Sequence, residues 1–167
     1  MRVLTVLAAL SLGLTPAVAA EEPSGCDKFK WPIDRERAAL AAPGRASLAS
    51  GSEQAVLPPT AFTLRLLAAA EAKLPMAPER APKDGGFAGF IRIHAPNAGL
   101  QRISLSAAAW VDVVQDGRFL KPVAFSGATD CDGIRKTITY RISAEPFVLQ
   151  ISGARDDSVT IAILPGE

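Results

Sequence analysis

The stretch "LQRISLSAAAWVDVVQDGRFL", Leu100 to Leu120, decides the fold. Its apolar and polar residues alternate with the period of two expected of a half-buried strand. Ile103 and Leu105 point away from Arg102 and Ser104, and Val111 and Val113 point away from Trp110 and Asp112. Asp116-Gly117 then supplies the two residues that tolerate positive φ in a tight hairpin turn, and Arg118-Phe119-Leu120 runs back.

The same signature extends outward. Phe87 to His94 alternates and is followed by a turn at Pro96-Asn97-Ala98-Gly99. Val123 to Ser126, Arg135 to Ile142, Phe147 to Ser152 and Val159 to Leu164 continue the series, with turn residues between them. Ala61 to Ala72 mixes strand and helix signals. It reads as strand because Phe62 to Leu66 alternates and prolines at 58, 59, 75, 78 and 82 isolate the segment. Strands without intervening helices predict an all-β fold, an antiparallel β-sandwich of jelly-roll type. One short N-terminal helix is expected, with Asp34 capping Arg35 to Leu40 and Pro43-Gly44 ending it. Arg45 to Gln54 reads as an exposed polar connection.

The first residues look like an export signal. Arg2 precedes an apolar run from Val3 to Leu14, and small residues at Ala17 to Ala20 offer a cleavage site. The expected division is a leader at 1–20, an N-terminal arm with the short helix and polar connection at 21–54, and the β-sandwich at 55–167. The expected compartment is the periplasm or the extracellular space. Arg2 accounts for the whole formal net charge of +1, so the mature chain is neutral. A neutral chain with interleaved signs lacks the basic excess of a nucleic-acid binder. No later run approaches the roughly 20 apolar residues of a membrane span.

The two cysteines, Cys26 and Cys131, are expected to pair in an oxidising compartment. Such a bridge closes a loop of about 100 residues, for which the chain-entropy model gives roughly 4 to 5 kcal/mol. The acidic stretch "ATDCDGIRK", Ala128 to Lys136, then reads as a turn presenting Cys131. Phe29 and Trp31 read as apolar anchors of the arm beside that staple.

Chemistry is sparse. His94 is the only histidine, which rules out metal sites built on two imidazoles within one chain. A serine hydrolase could use His94 as base with Asp112 orienting it, but no G-x-S-x-G elbow is present. Catalysis is left open, with a non-catalytic role favoured and no cofactor expected. Asp130, Asp132, Asp156 and Asp157 are weak calcium candidates should their turns meet, although the helix-loop-helix pattern is not met. The outward residues Arg92, His94, Arg102, Trp110 and Asp112, with Arg135 or Arg141, form a candidate binding face if their strands share one sheet. Such a face suits a sugar or an anion, though solvated antiparallel sheets also look like this without binding anything.

Several motifs carry a resemblance. Cys26-x-x-Phe29-x-Trp31-Pro32, Ala98-Gly99-Leu100 leading into Ile103-Ser104-Leu105-Ser106, Trp110 to Gly117, and Cys131-x-Gly133-x-Arg135-Lys136 together resemble a group of small exported bacterial proteins of unknown function. Some members are called homogentisate 1,2-dioxygenase, a non-haem iron activity needing two histidines and a carboxylate, which His94 alone does not supply. More loosely, the order of turn, strand, hairpin and late Ser152-Gly153-Ala154 strand is similar to prepeptidase C-terminal jelly-roll modules. The resemblance implies an accessory or ligand-binding role in the bacterial envelope. The partner would be an envelope protein or a small molecule such as a saccharide, with a passive assembly role as the alternative.

Overall fold

The computed structural model describes residues 22–81 and 85–166; the leader read at 1–20 lies outside the described residues. A 3-10 turn at Cys26–Lys28 and one helix, α1 (Asp34–Ala41), precede twelve strands. These are β1 (Ala46–Ala49), β2 (Glu53–Val56), β3 (Phe62–Arg65), β4 (Leu67–Ala68), β5 (Phe87–Ala95), β6 (Gly99–Leu105), β7 (Trp110–Gln115), β8 (Arg118–Phe119), β9 (Ala124–Gly127), β10 (Lys136–Ile142), β11 (Phe147–Ala154) and β12 (Ser158–Pro165).

Two sheets pack face to face as an all-β sandwich. The first runs β1-β3-β12-β6-β10-β9; the second runs β2-β5-β11-β7-β8, with β4 also on β5. The sheets are mixed rather than purely antiparallel, because β1 pairs with β3, and β2 with β5, in parallel. All other strand pairs are antiparallel.

The alternation read from sequence sets the inner faces. Ile91, Ile93, Ile103, Leu105, Val111 and Val113 meet Ile138, Tyr140, Phe147, Leu149, Ile151 and Ile161 in one core between the sheets. Each fully buried large apolar side chain contributes about 1.5 to 3 kcal/mol. Asp116 and Gly117 have φ of 52° and 70°, as a type I′ turn requires, and join β7 to β8.

Three expectations change. Arg45 to Gln54 is largely exposed but is not a mere connection: β1 lies within it and β2 begins in it, one in each sheet, so the sandwich begins before residue 55. Ala61 to Ala72 is strand only at β3 and β4 and turns thereafter. Asp34 is the first helical residue rather than the cap; Ile33 precedes it and no side chain caps the helix. The Asp34 carboxylate instead sits in the first turn, where the helix dipole favours negative charge.

The outer face of each sheet is covered differently. On the first sheet, Phe29, Ile33, Leu40, Ala61, Cys131, Ile134 and Ala162 form a second apolar cluster beneath the N-terminal arm and α1, with Trp31 packed against it. The Cys26–Cys131 disulfide joins that arm to the turn before β10, with a Cα–Cα distance of 4.7 Å. On the second sheet, residues 69–81, after β4, form a strap. Gln150 bonds it twice, accepting from Met76 N at 2.9 Å and donating to Met76 O at 3.2 Å, and Asp112 Oδ2 accepts from Glu79 N at 3.2 Å. Among the described residues, no helix is long and apolar enough to cross a membrane.

Candidate functional site

The five residues of the expected binding face do not share one surface. Arg102 lies on β6 in the first sheet, whereas Arg92 and His94 lie on β5, and Trp110 and Asp112 on β7, in the second. Alternation correctly pointed Arg102 outward, but it points into the interface with α1. There its Nη1 donates to Glu36 Oε1 at 3.0 Å, with Glu36 fully buried and Arg102 nearly so. Its guanidinium also lies 5.1 Å from the centroid of the Trp31 ring. Arg102 therefore fastens the helix to the sheet.

The remaining four residues split again, because β11 and the strap stand between β5 and β7. His94 is half exposed, and its Nε2 lies 3.1 Å from Glu53 Oε2 of β2. Arg92 Nε approaches the same carboxylate at 4.0 Å, and its guanidinium lies 5.3 Å from the Phe90 ring. Asp112 instead accepts from Trp110 Nε1 at 2.7 Å, a contact between residues two apart on one strand face. The His94–Asp112 pairing that a hydrolase would need is thus not formed; each side chain is held by other partners.

Asp130, Asp132, Asp156 and Asp157 do not gather as a calcium site would require. Among the described residues, no group of three or more His, Cys, Asp or Glu side chains is placed to hold a metal ion. Asp130 accepts the Ser24 hydroxyl at 2.6 Å, and the Asp132 carbonyl accepts from Arg37 Nε at 3.3 Å. The acidic turn serves the arm that its cysteine staples.

A site not named as such from sequence opens where β7 of one sheet faces β9 and β10 of the other. It is a cleft of about 830 Å³, bounded by the end of the strap, Gly85-Gly86 and the end of β11. Gly86 must be glycine here: its φ is +87°, and a Cβ would sit 2.6 Å from the Ala154 carbonyl oxygen. A register shift in β11 between Ile151 and Ala154 shapes the same rim. Tyr140 forms the floor, and its buried hydroxyl donates to Val111 O at 3.1 Å, linking the two sheets.

Lys136 is the unusual residue of the cleft. It opens β10 and shares strand parity with Ile138, Tyr140 and Ile142, so its side chain turns toward the interior. The ammonium donates to Ala109 O. It lies 5.9 Å from the ring centroids of both Trp110 and Phe125. Burial lowers its pKa to about 8, assisted by the positive charges of Arg135 and Arg80 and opposed by Glu22.

The cleft walls are basic. Among the described residues, Arg80, Arg135, Lys136 and Arg155 face Glu22 and Glu79 as acids, and both acids are engaged, Glu22 by Arg135 and Glu79 by Lys121. Arg80, Lys136 and Arg155 form no ion pair among the described residues. The Arg80 guanidinium lies 5.5 Å from the Trp110 centroid. Just behind that ring, burial raises the pKa of Asp112, while the hydrogen bonds from Trp110 and from Glu79 N oppose the rise. Phe125 is half exposed and presents apolar surface at the mouth. The arrangement can hold an anion by charge and a flat apolar body by contact.

Of the residues expected to bind, Trp110 lines this cleft, as does Arg135. Lys136, Arg80, Phe125 and Tyr140 were not singled out as site residues. The signal for Lys136 was legible as a lysine at an inward strand position; for Arg80 no periodic pattern marked it. Compared with protein-family models, curated proteins and solved structures, the chain matches none.

Proposed function

We propose that the chain is an exported, non-catalytic ligand-binding β-sandwich of the bacterial envelope, and that it takes an anionic ligand with a flat apolar body in the Lys136 cleft. The observation that carries this reading is the placement of an inward-facing amine near two aromatic rings, in a cleft whose described cations outnumber its described, already paired acids. A largely desolvated cation that pairs with no carboxylate among the described residues is costly to keep, and an anionic ligand offsets that cost. The disulfide supports an exported setting, since disulfides persist in oxidising compartments.

Titration of the protein with aromatic carboxylates, followed by tryptophan fluorescence, tests the reading. Binding should quench the Trp110 signal, weaken with added salt, and fall at least tenfold in Lys136→Ala. Arg92→Ala, on the far side of the strap, should bind as the wild type does. Equal binding of neutral and anionic aromatics, or loss on Arg92→Ala instead of Lys136→Ala, would overturn it.

A further inference from the structure

Most lysines on a protein surface are protonated and solvated, and therefore poor nucleophiles. Lys136 differs in three ways that the geometry supplies together. Its amine lies in a cleft rather than on open surface. Among the described residues it is anchored by a carbonyl, Ala109 O, and by no carboxylate. It is flanked by two aromatic rings, Trp110 and Phe125, with each centroid 5.9 Å from the ammonium. By contrast, Lys28 is paired with Asp27, and Lys121 with Glu79, at exposed positions.

We propose that Lys136 captures carbonyl compounds: its Nζ condenses reversibly with the aldehyde group of an anionic aromatic ligand lying between Trp110 and Phe125. The capture deepens the cleft reading above and rests on it. The nitrogen lone pair attacks the carbonyl carbon and a C–N bond forms. The carbonyl oxygen then leaves as water, carrying both hydrogens of the neutral amine, and a C=N bond remains. No oxidant or reductant is consumed, and hydrolysis by the reverse path releases the ligand. Arg80 and Arg155 supply charge for the acidic group of the ligand, and Phe125 supplies apolar contact.

The groups that set the state of the amine come from several elements. Arg135 immediately precedes its strand, Arg80 comes from the strap, and Glu22 from the N-terminal segment. With a pKa of about 8, roughly a tenth of the amine is neutral at pH 7, against roughly one part in three thousand for an ordinary lysine. That difference makes the reaction selective near neutrality.

The test uses the disulfide-bonded protein at pH 7 with 4-formylbenzoate, cyanoborohydride to fix any imine, and peptide mass mapping. 4-Methylbenzoate, which has the same shape but forms no imine, serves in parallel as a reversible ligand and competitor. Lys136 should be modified at least tenfold faster than Lys28, Lys30, Lys73 or Lys121. Lys136→Arg, which keeps the charge, should lose the adduct. In the wild-type protein excess 4-methylbenzoate should slow modification at Lys136 without slowing it at Lys28, a result that does not depend on the folding of any variant. Modification of Lys136 at the rate of the exposed lysines, with 4-methylbenzoate still bound, would overturn the imine and leave the binding cleft standing. Absence of both selective modification and binding would overturn the two together.

Discussion

Lys136 stands at a strand position that its parity assigns to the core, yet it ends in an amine, and that conflict has a thermodynamic consequence. Burial holds its pKa near 8 in the folded protein, below its value of about 10.5 in the unfolded chain. Between these values the unfolded state binds more protons, so stability rises with pH. Between pH 8 and 10 the gain should be about 1 to 3 kcal/mol. Above pH 10 the trend should reverse, because burial keeps the Tyr140 hydroxyl protonated while the unfolded tyrosine ionises. Lys136→Met should flatten the rise and stabilise the protein at pH 7, as read by urea midpoints across that range. An unchanged pH slope in the variant would show that Lys136 is not desolvated. The parity of Lys136 with Ile138, Tyr140 and Ile142 was readable in the sequence. Its neighbours Arg80, Trp110 and Phe125 were not, because three separate segments deliver them.

Among the elements, α1 is the one whose attachment depends on a buried charge. The helix is short and polar, and it is held by Leu40, Ile33 and the Glu36–Arg102 pair. Removing one member leaves the other charge buried and unpaired, so Glu36→Ala or Arg102→Ala should cost about 3 to 5 kcal/mol. Replacing both with Leu and Met should cost far less, since the pair gains little over good apolar packing. Urea unfolding of the two single variants and the double variant measures this; additive losses would contradict it. Strands β5 to β12 and the Asp116-Gly117 turn were legible because alternation and turn chemistry are local. Strands β1 and β2 were not, for they are short, largely exposed edge strands with no buried stripe to reveal them. Their parallel pairing with β3 and β5 is a long-range choice that no local pattern encodes.

For the whole molecule, the N-terminal arm is tied to the sandwich across 105 residues by one covalent bond, with Phe29 and Trp31 packed beside it. Reduction, or Cys26→Ser with Cys131→Ser, should lower stability by about 4 to 5 kcal/mol in the chain-entropy model. Denaturant midpoints with and without reductant give the value; a loss under about 1 kcal/mol would mean that the arm's own packing suffices. The same scale explains why the expected binding face dissolved. Alternation tells which way a side chain points but not which sheet its strand joins, so Arg102 was grouped with Trp110 although the sandwich sets them on opposite sheets. The cleft exists only once β7 and β10 face each other, which is a property of the assembled sandwich. Backbone amide shift mapping by NMR during titration with benzoate is the most direct test of where the ligand goes. Shifts should concentrate at Trp110 and Val111, at Arg135 to Ile138, and at Ser152 to Arg155, while Phe90 to His94 stay unmoved; shifts centred on Phe90 to His94, or none at saturating benzoate, would contradict a ligand site at Lys136.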